Sequence, residues 1–231
     1  MNLSMYQLFA VYYDRIFDFN PELFNPIFNR LYRHALDIGC GTGRLTKVIK
    51  DYHIDVLGID LDSDMIEIAQ SKFPTIDFKV KNMLDLEDLK TFDLITCFGN
   101  TLPHLKPKEF NQFFRSIETK LSNDGVFWIQ LLNYDAILKQ KKSELKPIIK
   151  EDFKFFRYYV FLDQKIEFHT RLETQECIKE GMTFLYPYQM NDFLKLKETH
   201  KLKVNCFGSL SEKPYDLEHD YYLYVKVQKR L

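Results

Sequence analysis

The feature that most constrains this chain is the stretch from Ala35 to Asp60. A short apolar run carrying an acid, Ala35-Leu36-Asp37-Ile38, leads into glycines at alternate positions, Gly39, Gly41 and Gly43. Leu45, Val48, Ile49 and Tyr52 then recur at helical spacing and form one apolar face. A second apolar strand, Val56-Leu57-Gly58-Ile59, closes on Asp60. Strand, glycine turn, helix, strand and terminal acid, in that order, make a unit that holds a nucleoside cofactor at its strand ends. Glycines at the turn permit positive φ and let a ligand lie on bare backbone. An acid 21 positions beyond Gly39 can accept hydrogen bonds from both hydroxyls of a ribose.

The spacing separates one cofactor from another. A dinucleotide fingerprint needs a third glycine at position 44, where this chain has Arg44; its third glycine comes one residue earlier. The pattern Asp37-x-Gly39-x-Gly41-x-Gly43 resembles the glycine motif of class I S-adenosylmethionine-dependent methyltransferases. The resemblance implies S-adenosyl-L-methionine as cofactor, with an acid able to approach its methionyl amino group. It also implies an α/β, Rossmann-like methyltransferase fold: a seven-stranded, mostly parallel sheet with an antiparallel closing hairpin. Asp37, Gly39, Gly41, Gly43, Asp60 and Leu61 are the cofactor residues it assigns in this half of the chain.

Composition narrows the partners. The 231 residues carry 32 basic and 33 acidic side chains, a net charge of −1, so no long-range field draws nucleic acid or an anionic membrane. Cys40, Cys97, Cys177 and Cys206 are far apart and form no paired ligand motif, so they read as buried, reduced thiols and no metal is expected. No apolar run reaches the ~20 residues of a membrane span, and the N-terminus lacks a basic-then-apolar signal. The expectation is a cytoplasmic, soluble protein, monomer or homodimer, with a small-molecule partner.

The rest of the chain adds candidates in order. Residues 1–33 read as an aromatic helical cap divided by Pro21 and Pro26. Within it Ala10-Val11-Tyr12-Tyr13-Asp14 resembles the Tyr-Asp segment over the cofactor pocket of small-molecule methyltransferases, which nominates Tyr13, with Tyr12 second. A third strand ends in Asn82-Met83, where the family places an acid and an apolar residue beside adenine; here an amide takes the acid's place. The fourth strand, Phe92 to Phe98, runs into Gly99-Asn100-Thr101-Leu102-Pro103-His104-Leu105. That loop resembles the G-N-S-x-x-H-L stretch of the glycine N-methyltransferase group, implying that Phe98 and Asn100 meet the cofactor and His104 borders the methyl. His104 reads equally as a loop histidine satisfied by backbone.

Asn133-Tyr134-Asp135, after a fifth strand from Val126 to Leu132, resembles the same group. It reads as a substrate-facing cluster, with Asn133 catalytic and Tyr134 binding, or as a helix cap. Residues 151–187 then become antiparallel, with strands over Phe155 to Phe161, Ile166 to Leu172 and Met182 to Tyr186, and a turn at Lys179-Glu180-Gly181. This insertion is the expected lid. Its alternating polar positions Glu167, His169, Arg171 and Glu173 face solvent or the pocket, with Arg171 the substrate-binding candidate. The favoured activity is methyl transfer to a small molecule, with an amine nitrogen as the expected acceptor. The alternatives are an RNA or protein methyltransferase and a non-catalytic cofactor-binding protein.

Overall fold

The computed structural model describes residues 9–230; Tyr6 of the aromatic N-terminal run lies outside them. Five strands make the parallel part of the main sheet: β1 (His34–Ile38), β2 (Asp55–Asp60), β3 (Asp77–Val80), β4 (Phe92–Cys97) and β5 (Leu121–Leu132). The last two strands, β10 (Leu202–Phe207) and β11 (Tyr222–Lys229), pair antiparallel to each other, and β11 runs antiparallel to β5. Spatial order is β10-β11-β5-β4-β1-β2-β3. The seven-stranded sheet with a closing hairpin is therefore as expected.

Helices cover both faces, which is why the central strands are apolar on both sides. Ala35, Leu36 and Ile38 of β1 are each fully enclosed. On one face α2 (Arg44–Asp51) and α3 (Ser63–Lys72) bury Leu45, Ile49, Ile66 and Ala69 beside Ile27 and Trp128. On the other, α4 (Pro107–Lys120) buries Phe110, Phe113, Phe114 and Ile117, joined by Phe193 of α6 (Met190–Thr199). Proline at the first position of α4 and the Asp62 carboxylate capping α3 through the Asp64 and Met65 amides start those two helices.

A second sheet, order β6-β7-β8-β9, is antiparallel throughout: β6 (Ile148–Ile149), β7 (Phe153–Phe161), β8 (Ile166–Thr174) and β9 (Ile178–Leu185). It reaches the main core through Tyr159, Ile166 and Leu185, and the N-terminal segment through Phe153, Phe155 and Leu172.

Four local expectations are corrected. Among the described residues, the N-terminal cap has one short helix, α1 (Tyr13–Ile16), between 3-10 turns at Ala10–Tyr12 and Pro21–Phe28, where prolines 21 and 26 remove backbone donors. Strand β5 begins at Leu121 rather than at Val126, with a register irregularity over residues 122–125 opposite Phe92 and Leu94. The turn assigned to Lys179-Glu180-Gly181 sits at 174–177, where Thr174 Oγ1 accepts from the Glu176 and Cys177 amides; Gly181 pairs with Thr170 inside β9. Of the cysteines, Cys40 and Cys97 are buried but Cys177 is exposed.

Candidate active site

The strand order reverses beside β1, which has β2 on one side and β4 on the other. A crevice therefore opens at the C-terminal ends of these strands. A cleft of about 840 Å³ begins there, at Asp37, Gly39 and Gly41, and runs past Phe98, Asn100 and Asn133 to the second sheet.

The glycine loop is shaped from both sides. Gly39 and Gly41 have φ +69° and +53°, and they differ in what they face. A Cβ on Gly39 would collide with the Thr101 side chain. A Cβ on Gly41 would meet only Tyr13 Cε1, at 3.9 Å, so the missing side chain there leaves room beside the cleft. Asp60 fixes the loop from below: its Oδ2 accepts from the Gly41 amide at 2.9 Å and its Oδ1 from the Asp62 amide at 3.0 Å. Burial pushes the Asp60 carboxyl up, and those amides draw it back.

Asp37 is 2% exposed, with its two oxygens accepting from the hydroxyls of Thr46 (2.7 Å) and Thr96 (2.8 Å). Burial raises its carboxyl to about 6 despite those hydroxyls, with the charge of Asp60 adding to the rise.

The N-terminal segment is fastened to this loop by a residue that sequence reasoning passed over. Asp14 accepts from Thr42 Oγ1 at 2.6 Å, pairs with Arg44 Nε at 3.2 Å and bonds to Lys72 Nζ. Burial opposes its ionisation, yet Lys72, Thr42 and Arg44 together hold it below the ordinary carboxylate range. Arg44, standing where a dinucleotide fingerprint needs glycine, also donates to the Phe17 carbonyl at 2.6 Å and lies 5.5 Å over the Tyr13 ring. Tyr13 is thereby set at the cleft wall beside Gly41, and burial raises its phenol to about 12. A carboxylate held below its ordinary value keeps these bonds at neutral pH and loses them only in acid. Asp14→Ala should release the segment and speed dissociation of a ligand bound beneath it about tenfold, read by displacement of labelled ligand.

The other expected residues divide. Asp37, Gly39, Gly41, Phe98, Asn100, Asn133 and Tyr13 line the cleft. Gly43 stands one turn away: it is the N-cap of α2, and a Cβ there would lie 2.7 Å from Phe78 Cζ. Asn133 is committed to structure: its Oδ1 caps α5 (Tyr134–Gln140) through the Ala136 amide, and its Nδ2 donates to the carbonyls of Leu217 and Asp220.

Asp60, Leu61, Asn82 and Met83 lie at the ends of β2 and β3, outside the cleft walls; Asn82 Oδ1 closes a local turn on the Leu84 amide. Tyr134 is fully buried, and it exchanges hydrogen bonds with Asn100 (2.9 and 3.2 Å) without reaching the cleft. Tyr12 packs edge-on against Phe153 at 5.2 Å, one residue out of phase with Tyr13. His104 sits in a 3-10 turn outside the cleft walls, and burial lowers its imidazole to about 4, leaving it neutral at pH 7. Arg171 points to the outer face of the second sheet, 44% exposed, and pairs with Glu173 (2.7 Å) and Glu180 (3.4 Å).

The far wall holds residues the sequence reading missed. Gln130 of β5 accepts from the Gly99 amide at 2.8 Å, and Tyr222 and Tyr224 flank it. His219 stands at the mouth, its Nδ1 held 3.0 Å from Asp216. Arg157 and Tyr159 enter from β7. Strand parity was the available signal: Phe153, Phe155, Arg157, Tyr159 and Phe161 share one face of β7, an apolar row interrupted by one cation. Among the described residues no group of three or more His, Cys, Asp or Glu is placed to hold a metal, and no helix is long and apolar enough to cross a membrane.

Comparison with known proteins agrees with this geometry. Residues 35–125 match the family model described as a methyltransferase domain. A putative methyltransferase of Geobacillus sp. (strain WCH70) is 33% identical over 165 residues, spanning 62% of this chain and 67% of the relative. In fold, the chain resembles an S-adenosylmethionine-dependent methyltransferase from Clostridium acetobutylicum. The TM-score is 0.84 at 18% identity, covering 97% of this chain and 98% of the other. It also resembles an amino pentose methyltransferase from Micromonospora echinaspora solved with S-adenosylmethionine bound (TM-score 0.65, 16% identity, 99% and 93% covered). The open face of Gly41 and the cleft at the strand ends suit that cofactor. The chain belongs to the S-adenosylmethionine-dependent methyltransferase family.

Proposed function

We propose that this methyltransferase acts on a small molecule, at an amine nitrogen. The observation that carries the reading is the wall the second sheet adds to the cleft: Tyr159, Phe168 and Leu185 line it together with Tyr222 and Tyr224, a setting of the size and aromatic character that suits a small acceptor. An RNA or a folded protein needs an open, charged or extended face, and a net charge of −1 supplies no such attraction. The likeness of Gly99–Leu105 to the glycine N-methyltransferase loop supports nitrogen, as does the amino substrate named for the Micromonospora enzyme.

Bound S-adenosylmethionine supplies an electrophilic methyl group on a sulfonium. The chain's own work is to hold a neutral lone pair in line with that methyl and exclude water. Asp60 would take the ribose hydroxyls, the Gly39–Gly41 turn and Asp37 the methionyl end, and Tyr13 and Asn100 the walls around the methyl. Asn133 and Tyr134 position this wall through the α5 cap and Asn100, and His219 stands where an acceptor's proton could leave to solvent.

A pH dependence follows from Asp37. Its folded value of about 6 exceeds the ordinary 3.8, so the folded protein keeps a proton that the unfolded chain gives up. Stability is therefore lost as pH rises from 3.8 to 6, and above 6 the buried carboxylate is left charged. A cofactor ammonium nearby relieves that charge. Affinity for S-adenosylhomocysteine should rise several-fold from pH 5 to pH 7.5, and Asp37→Asn should flatten the profile; equal slopes in both proteins would separate Asp37 from the amino group. The function itself is tested by incubating the enzyme with methyl-labelled cofactor and pooled metabolites, RNA or protein. Label in the small-molecule fraction supports the reading, and label confined to a macromolecule contradicts it.

A further inference from the structure

We propose that Arg157 is the recognition residue of the acceptor subsite, and that the acceptor is an amine bearing an oxyanion, a carboxylate or a phosphate ester. The inference rests on the small-molecule reading above and names the class of molecule.

Arg157 sits on the inward face of β7, opposite Thr170, between the buried rings of Phe155 and Tyr159. It lines the same continuous cleft as Gly41 and Asn100. A guanidinium offers five N–H donors and cannot lose its charge. Here Nη2 donates to the Lys146 carbonyl at 3.2 Å, while Nε is buried and has no hydrogen-bond partner. No carboxylate pairs with it among the described residues; Arg15, Arg44 and Arg171 have such partners in Asp152, Asp14 and Glu173, and the other unpaired arginines, Arg30, Arg33, Arg115 and Arg230, are exposed to solvent.

A purely structural role explains this poorly. Holding one carbonyl and lying 5.9 Å over the Phe155 ring leaves the buried Nε–H of this half-buried cation with an unmade hydrogen bond. An apolar residue would continue the row of β7 at lower cost. Two more cations stand on this side: Lys142 and Lys146 also line the cleft and form no ion pair among the described residues, whereas the acids Glu218 and Asp220 of the opposite wall are paired with Lys139 and Lys213. A planar oxyanion facing the fork would complete the guanidinium, with the aromatic rings beside it packing on the body of the acceptor.

The test uses matched probes on the protein saturated with S-adenosylhomocysteine: tyrosine against tyramine, β-alanine against its amide, and glucosamine 6-phosphate against glucosamine. Calorimetry on that complex gives affinity, and separate turnovers with methyl-labelled S-adenosylmethionine in place of S-adenosylhomocysteine give KM and kcat. The parent should bind at least one anionic member tenfold or more tighter than its neutral partner, and the pair that does so tells carboxylate from phosphate. Arg157→Gln should erase that preference by raising KM with kcat little changed, and Arg157→Lys should restore part of it. Arg115→Gln, on the exposed face of α4, should keep the preference. If the Gln variant melts far below the parent, the Lys variant carries the comparison, because it keeps the charge and loses the fork.

Neutral amines bound and methylated equally by parent and Arg157→Gln would overturn the assignment while leaving a small-molecule methyltransferase in place. Absence of Arg157-dependent binding by every anionic probe overturns it as well. Label found only in RNA or protein would instead remove the reading beneath it, and the anionic probes would then bind no better to the parent than to Arg157→Gln.

Discussion

Gly41→Leu should abolish cofactor binding and leave the fold standing. At φ +53° a leucine costs about 1–2 kcal/mol of backbone strain, which in a chain this size lowers the melting temperature by about 2–8 °C. No packing clash adds to that, since the nearest atom to a Cβ is Tyr13 Cε1 at 3.9 Å. The branched side chain would occupy the space beside the loop in which the account lays the methionyl part of the ligand. A loss of at least a hundredfold in S-adenosylhomocysteine affinity, about 2.7 kcal/mol, is expected by calorimetry. Gly39→Ala provides the contrast, because its Cβ runs into Thr101: there stability should fall first, with affinity following. Parental affinity in Gly41→Leu would show that this loop is not the cofactor's cradle.

Asp60→Ala is the second large effect. The carboxylate is buried, already accepts from the Gly41 and Asp62 amides, and keeps lone pairs for a ribose. Removing a charge-assisted acceptor of two hydroxyls should weaken binding by about 2–3 kcal/mol, roughly 30- to 150-fold. Part of any loss could come from loosening the glycine loop, so affinity alone does not isolate the contact. A double-mutant cycle does: deleting the ligand's 2′-hydroxyl should cost tenfold or more in the parent and almost nothing in Asp60→Ala. An equal cost in both proteins would take Asp60 away from the ribose.

The parallel half of the fold was legible because its central strands are short apolar runs ended by an acid, a glycine or an amide, the edge strand β3 alternates apolar and polar residues, and each helix keeps one apolar face. The second half was harder, since antiparallel strands carry polar residues on one face and turn chemistry alone marks their ends. Gly181 looked like a turn residue, but it lies opposite Thr170 within a ladder, and the real turn is closed by a threonine hydroxyl. At the site, backbone roles were readable from glycine spacing, while side-chain roles depended on direction. Tyr12 and Tyr13 are adjacent and point different ways. Arg171 was singled out among the alternating polar positions of β8, where it pairs with Glu173 and with Glu180 of β9, and Arg157, in the apolar row of β7, went unnoticed. Asp14 was visible only as half of a Tyr-Asp pair, because its partners Thr42, Arg44 and Lys72 are 28 or more residues away.

The most direct test of the whole account is a crystal structure with S-adenosylhomocysteine bound. The account predicts the ribose on Asp60, the methionyl end against Gly39 and Gly41, and the sulfur turned toward the wall of Tyr13 and Asn100, with open space beyond it leading to Arg157. A ligand bound elsewhere, or one reversed so that its sulfur faces away from that space, would contradict it.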